Sequence, residues 1–356
     1  MSDYHEQRQM NNEERLDEML KNELPLFAGK FFAHLRTRNL SSLTMLQYAY
    51  DLKLFFDYLA AQPGFKDVDF RICRASVLDR LTVDDLQEYQ NSIRFRTVQT
   101  AGKEKRKPQS EATRARRASS LRSFYRYMVR IREIEKDMSE FIDVPSVRER
   151  PIIILDKTDV QRILAAVSDT SGMTEAQIKR HSHVTKRDYA ILVTLLGTGI
   201  RVSELVGLDV GDIDFYQASF NVVRKGGDID EVFFGPEVED ALHDYIDHER
   251  DLLSPSPDDS DALFVSMKHT RVSVRNVEIL VKNYARKAGI ADKITPHKMR
   301  STYGSNLYEE TGDIYLVADA LHHSSVEVTR RHYARMSTEH KRLAQKHSSS
   351  LFKPDS

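Results

Sequence analysis

The stretch Asp143 to Pro151, DVPSVRERP, sets two prolines around a charged core, and no other segment constrains the fold of this 356-residue chain as much. Proline fixes φ and removes a backbone donor, so neither a helix nor a central strand runs through such a segment. The chain therefore divides into two parts, each long enough to bury its own core. The expected organisation is a flexible extension over 1–25, a helical domain over 26–142, a linker over 143–152, and a second domain with a C-terminal tail over 153–356. Cys73 is the one cysteine, so disulfides within the chain are excluded and a reducing, cytoplasmic setting is expected. No apolar run approaches the roughly 20 residues that cross a bilayer, so no membrane insertion is expected.

Helical spacing dominates both parts. Tyr48, Leu52, Phe55, Phe56 and Leu59 recur on one face between a Ser41 or Ser42 cap and the breaker Pro63-Gly64. Leu81-Thr82-Val83-Asp84-Asp85-Leu86 reads as a capping box, with Thr82 as N-cap and Asp85 at N3. Further helices are expected over about 26–35, 110–130, 156–167, 188–196 and 236–252, and from Val274 onward. Residues 100–109 read as a loop, and 168–186 as a polar insertion without a clear period. Strand character is confined to Ser219–Val223 and Glu231–Phe234 around Lys225-Gly226-Gly227, a hairpin signal. The fold class is thus mainly α with a small antiparallel β-sheet.

The formal net charge of −1 and a pI near 6.9 argue, taken globally, against a nucleic-acid binder. The average conceals a basic segment. Between Ala101 and Arg132 eleven Lys and Arg side chains face two acids, Glu104 and Glu111, a net charge of +9. Lys103, Lys105, Arg106, Lys107, Arg114, Arg116, Arg117, Arg122, Arg126 and Arg130 are the candidate phosphate-backbone contacts. Arg122, Arg126 and Arg130 recur at i, i+4 and i+8, where like charges cost roughly 0.2–0.5 kcal/mol per pair, so an acidic partner is expected. A charge run is more often a solvated face; here the lack of interleaved acids favours binding.

The chemistry-bearing residues cluster late in the chain. His297 and Arg300, in TPHKMRST, lie three apart and share a helix face, and LHHSSVEVTRRHYARMS follows. After His323 the one remaining tyrosine is Tyr333. Imidazole, guanidinium and phenol together suit phosphoryl transfer: donors for charge on non-bridging oxygens, a proton carrier and an oxygen nucleophile. No P-loop and no carboxylate cluster for Mg²⁺ accompanies them. Neighbouring histidines on a helix point about 100° apart, and no H-x-x-x-H or Cys pair completes a site, so neither metal nor cofactor is expected. Taken singly, Arg201 and Glu204 in TGIRVSEL make R-x-x-E, usually a surface ion pair, and Lys225 is by default a turn lysine.

In order and spacing, TGIRVSEL, Lys225, TPHKMRST, LHHSS and Tyr333 resemble the catalytic signature of the tyrosine recombinase (phage integrase) family. SSLTMLQYAYDLKLFFDYL and TRARRASSLRSFYRYM are similar to the first and last helices of that family's core-binding domain, a small SAM-like helical bundle. VVRKGGDIDEV, ITPHKMR and the polar insertion are most similar to single-recombinase Xer proteins of the XerS kind. The resemblance implies Arg201, Lys225, His297, Arg300, His323 and the nucleophile Tyr333 as the catalytic set, with Glu204 supporting. It implies cleavage and rejoining of a double-stranded DNA site through a 3′-phosphotyrosine, a homotetramer on DNA, and chromosome-dimer resolution at a dif-like site with a division-associated DNA translocase. A mobile-element integrase, a catalytically silent DNA-binding protein and a type IB topoisomerase are the alternatives. Three features depart from the family pattern: His322 replaces a common glycine, Ser301 follows the second arginine, and Tyr333 comes ten positions after His323.

Overall fold

The computed structural model describes residues 2–100, 103–147, 153–224, 227–290 and 294–322. It forms two compact units that divide between Arg150 and Pro151.

The first unit contains α1 (Ser2–Asn22), α2 (Ala28–Thr37), α3 (Ser42–Ala60), α4 (Val83–Ser92), an antiparallel pair β1 (Phe95–Thr100) and β2 (Lys103–Pro108), and α5 (Glu111–Arg130). Its core is aromatic. Phe27, Phe31, Phe55, Phe56, Phe124 and Tyr125 are buried among these helices, with Phe31 and Phe124 edge-to-face at 5.5 Å. Such a pair adds about 0.5–1.5 kcal/mol to the burial of its area. Local chemistry sets the helix starts: Ser41 caps α3, Ser110 caps α5, and Thr82 and Asp85 make the expected capping box of α4.

Two expectations are corrected here. Residues 2–25, of the expected 1–25, are not a flexible extension. Leu16, Met19 and Leu24 are fully buried, α1 packs along α3, and Arg36 on α2 reaches Glu13 at 2.9 Å and Asp17 at 2.6 Å. The apolar spacing 16, 19, 20, 24 is helical, but the polar first two turns mask it. The expected loop over 100–109 instead contains β2, paired with β1 so that Arg96 faces Lys107 and Thr97 faces Arg106. Because the strand residues are charged rather than alternately apolar, period-2 patterning had nothing to register.

The second unit is organised around α8 (Thr185–Thr198), which α6 (Lys157–Ser168), α10 (Pro236–Tyr245), α11 (Val274–Lys287) and α12 (Pro296–Thr311) surround. Ala190, Ile191, Leu192 and Leu195 are fully buried, and each larger side chain contributes about 1.5–3 kcal/mol. The helix ends at Gly199 in the left-handed conformation. α9 (Val202–Gly207) follows, then a sheet of order β3-β4-β5 built from Ile213–Asp214, Ser219–Val223 and Ile229–Phe233. The insertion contains a short helix, α7 (Glu175–His181), capped by Thr174 and Gln177. The expected helix over 236–252 is regular only to Tyr245 and continues as one π turn and one 3₁₀ turn. Beyond Val274 the described chain is helical in three pieces, α11, α12 and α13 (Ile314–Ala320), broken at Gly289 and Gly312 in left-handed conformations.

Candidate active site

The first turn of α12 begins with Thr295 as N-cap and Pro296 at N1, which fixes where His297 and Arg300 emerge. His297 is exposed, and its carbonyl accepts Ser301 Oγ at 3.0 Å. Ser301 is therefore tied back into its own helix. Arg300 is buried at 4% exposure, its Nη1 donating to Gly199 O at 2.6 Å and its Nη2 to Leu321 O. Gly199 has φ +64°, and a Cβ there would stand 2.3 Å from the Tyr303 ring, so glycine is what lets this carbonyl face Arg300.

Arg201 is the residue just before α9. Its Nη1 lies 2.7 Å from Glu204 Oε1, its own N–H donates to Glu204 Oε2 at 2.7 Å, and its Nη2 donates to His322 O at 3.5 Å. The R-x-x-E pair is thus more than a surface ion pair. Glu204 is 3% exposed, whereas the Arg201 side chain keeps 37%. A buried carboxylate holds the root of an outward-facing guanidinium, which costs little when the charge is paired and hydrogen-bonded.

Arg224, which reading the sequence missed, completes the clamp. It is 6% exposed, and its Nη1 donates to Glu204 Oε2 at 2.8 Å while Nε and Nη2 donate to Asp230 Oδ2 at 2.9 and 2.6 Å. The hairpin text RKGGDID carried the signal, since it sets Arg224, just past the end of β4, beside Asp230 on β5. Glu204, one of the called residues, is thereby shared by two arginines. Arg201 and Arg300, 99 residues apart, converge on neighbouring carbonyls of the 321–322 turn. Lys225, His323 and Tyr333 lie outside the described residues.

The candidate DNA contacts fall on β2 and α5 of the first unit. Lys105, Arg106 and Lys107 are exposed, and Arg106 sits 5.2 Å over the Phe95 ring; the side chain of Lys103 lies outside the described residues. On α5, Arg126 and Arg130 are exposed, while Arg114, Arg116, Arg117 and Arg122 are half-buried. The acidic partner expected for the stripe faces other arginines: Asp51 on α3 pairs with Arg116 and lies 3.7 Å from Arg117. Arg122 Nη2 instead donates to the Ile142 carbonyl. Arg122, Arg126 and Arg130 line a cleft with Arg38, His34 and Tyr127. There, burial and the charges of Arg130 and Arg38 hold the His34 imidazole below its usual value.

Comparison with known proteins gives the family. The model of the "Phage integrase family" matches residues 154–340, and that of the "Phage integrase, N-terminal SAM-like domain" matches 29–132. A tyrosine recombinase XerC from Corynebacterium efficiens is 31% identical over 77% of this chain and 83% of its own length. A tyrosine recombinase XerD from Oceanobacillus iheyensis is 29% identical over 84% of this chain and 90% of its own. In fold, the chain resembles the Tn1549 transposon integrase in complex with circular intermediate DNA. That likeness has a TM-score of 0.61 at 20% identity, over 89% of this chain and 98% of the other. The chain belongs to the phage integrase family and is a tyrosine site-specific recombinase.

Proposed function

We propose that this recombinase cleaves and rejoins DNA through a covalent 3′-phosphotyrosine at Tyr333, and that it resolves chromosome dimers at a dif-like site. The observation that carries the mechanism is the convergence of Arg201 and Arg300, each oriented from behind, on the turn directly preceding His323 and the Tyr333 segment. Two fixed guanidinium forks suit the non-bridging oxygens of a phosphodiester, and suit the pentavalent transition state better than point charges do. Tyr333 Oη attacks phosphorus and passes its proton to His297, while Lys225 gives a proton to the departing 5′-oxygen as the P–O5′ bond breaks. His323 adds a donor to phosphate. The new phosphotyrosine ester retains the energy of the broken bond, so a 5′-hydroxyl of a second strand reseals it without nucleotide hydrolysis.

The same reading gives the first unit the DNA backbone. The Nε atoms of Arg114 and Arg122 are buried without a hydrogen-bond partner among the described residues, and Arg96 directly faces Lys107 across β1 and β2. Unpaired buried donors and like charges set opposite both weaken an isolated protein, and a polyanion relieves both. Exchange of two strand pairs requires four protomers, so a homotetramer forms on DNA. A division-associated DNA translocase is the proposed accessory partner. The relatives named XerC and XerD support the dimer-resolution reading; the likeness to a transposon integrase supports the second one, movement of a mobile element. Sequencing the DNA that becomes covalently attached to the protein in its own cells separates them. A single near-palindromic chromosomal site is expected, and attachment at the ends of a mobile element would overturn the dimer-resolution reading.

A further inference from the structure

His322 stands in the left-handed region, φ +48°, where glycine has no steric cost and a histidine does. Its backbone N–H donates to Asp319 O at 2.8 Å, closing the turn after α13. The imidazole Nδ1 lies 3.1 Å from Asp230 Oδ2 on β5. That same oxygen receives Arg224, Arg224 reaches Glu204, Glu204 holds Arg201, and Arg201 returns to the His322 carbonyl. Five residues from three separate stretches of chain thus form a closed ring of contacts. In it the charges alternate, Arg201, Glu204, Arg224, Asp230, and His322 closes the ring. Glu231 and Asp319 line the same cleft beside His322.

We infer that His322 is a positioning residue for strand cleavage, tying the turn at 321–322 to the β4–β5 hairpin through Asp230 and Arg224. Both ends of this tie are adjacent in sequence to proposed catalytic groups: Arg224 precedes Lys225, and His322 precedes His323. The ring therefore sets the turn carbonyls that meet Arg201 and Arg300, and the strand end from which Lys225 departs. A side chain merely tolerated at this turn would be improved by glycine, since glycine removes the backbone cost. A side chain that positions the site would not.

This inference rests on the strand-cleavage reading, and its test separates the two. The full chain is given a nicked duplex carrying its captured site, and single-turnover adduct formation, DNA affinity and thermal stability are read for each variant. His322→Gly is expected to keep affinity and stability while lowering the rate by roughly tenfold or more, within the ~10²-fold that a 1 Å misplacement costs. His322→Asn, whose Nδ2 stands where the imidazole Nδ1 does and which tolerates positive φ, is expected to restore most of that rate. Asp230→Asn is expected to slow adduct formation like His322→Gly. A Gly variant that reacts as fast as the unaltered chain, or an Asn variant as slow as the Gly variant, would overturn the positioning role alone. If the unaltered chain forms no adduct at all, the cleavage reading fails and this role with it.

Discussion

At the scale of single residues, the proposed site separates groups assigned to the phosphate from groups that hold them in place. Arg300 is held by two carbonyls, so its value lies in a fixed fork rather than in its charge. Arg300→Lys keeps the charge and loses the fork; single-turnover cleavage is expected to fall ~10²- to 10³-fold with DNA affinity little altered. An equal loss of affinity would place Arg300 in general binding instead. The first unit gives a pH prediction. Burial pushes the Asp51 carboxyl up to about 6, against the opposing pull of Arg116 and Arg117. The folded protein then holds a proton that the unfolded chain has released near its ordinary carboxylate range. Stability from this group is accordingly greatest below about pH 4 and falls by roughly 2–3 kcal/mol as pH rises to about 6. Asp51→Asn, a neutral mimic of the protonated acid, should flatten that slope in denaturant unfolding followed between pH 4 and 7. An unchanged slope would mean that the arginines keep Asp51 ionised throughout.

At the scale of elements, what sequence reading recovers is what local chemistry writes. The caps at Ser41 and Thr82 and the helix starts near Ser110 and Asp156 all depend on residues within one turn, so they are legible before any tertiary contact is known. The β1–β2 hairpin, the packing of α1 and the Arg224–Asp230 pair depend on partners across the fold. The first two were misread and the third was missed. Of the proposed catalytic set, motif spacing named Arg201, His297 and Arg300, with Glu204 supporting, while the burial of Glu204 between two arginines could not be inferred from R-x-x-E. On α5 the structure divides a stripe that looks uniform in sequence. Arg126 and Arg130 are exposed, Arg130 lying over the Tyr127 ring, whereas Arg122 is half-buried and ties α5 to the Ile142 carbonyl. Arg126→Gln with Arg130→Gln is expected to weaken DNA binding and reduce the slope of log K against log salt by up to about 2, at unchanged stability. Arg122→Gln is expected to lower the melting temperature as well. Salt-titrated binding of the two variants beside their thermal unfolding checks the division, and identical behaviour of both would erase it.

At the scale of the whole molecule, a SAM-like helical unit and a catalytic unit share one chain, and no described helix is long and apolar enough to cross a membrane. The two arginines, the shared carboxylate and the turn before His323 assemble inside the second unit. The nucleophile assigned to them, Tyr333, follows in sequence and lies outside the described residues. The central claim therefore concerns an oxygen, and it is testable as one. Purified protein on a nicked suicide substrate in EDTA, without nucleotide, is expected to form a 3′-linked covalent adduct. Tyr333→Phe is expected to bind the same DNA with little change and form none, because only the attacking oxygen is gone. A Phe variant that still becomes covalently attached, or cleavage that requires Mg²⁺, would contradict the account.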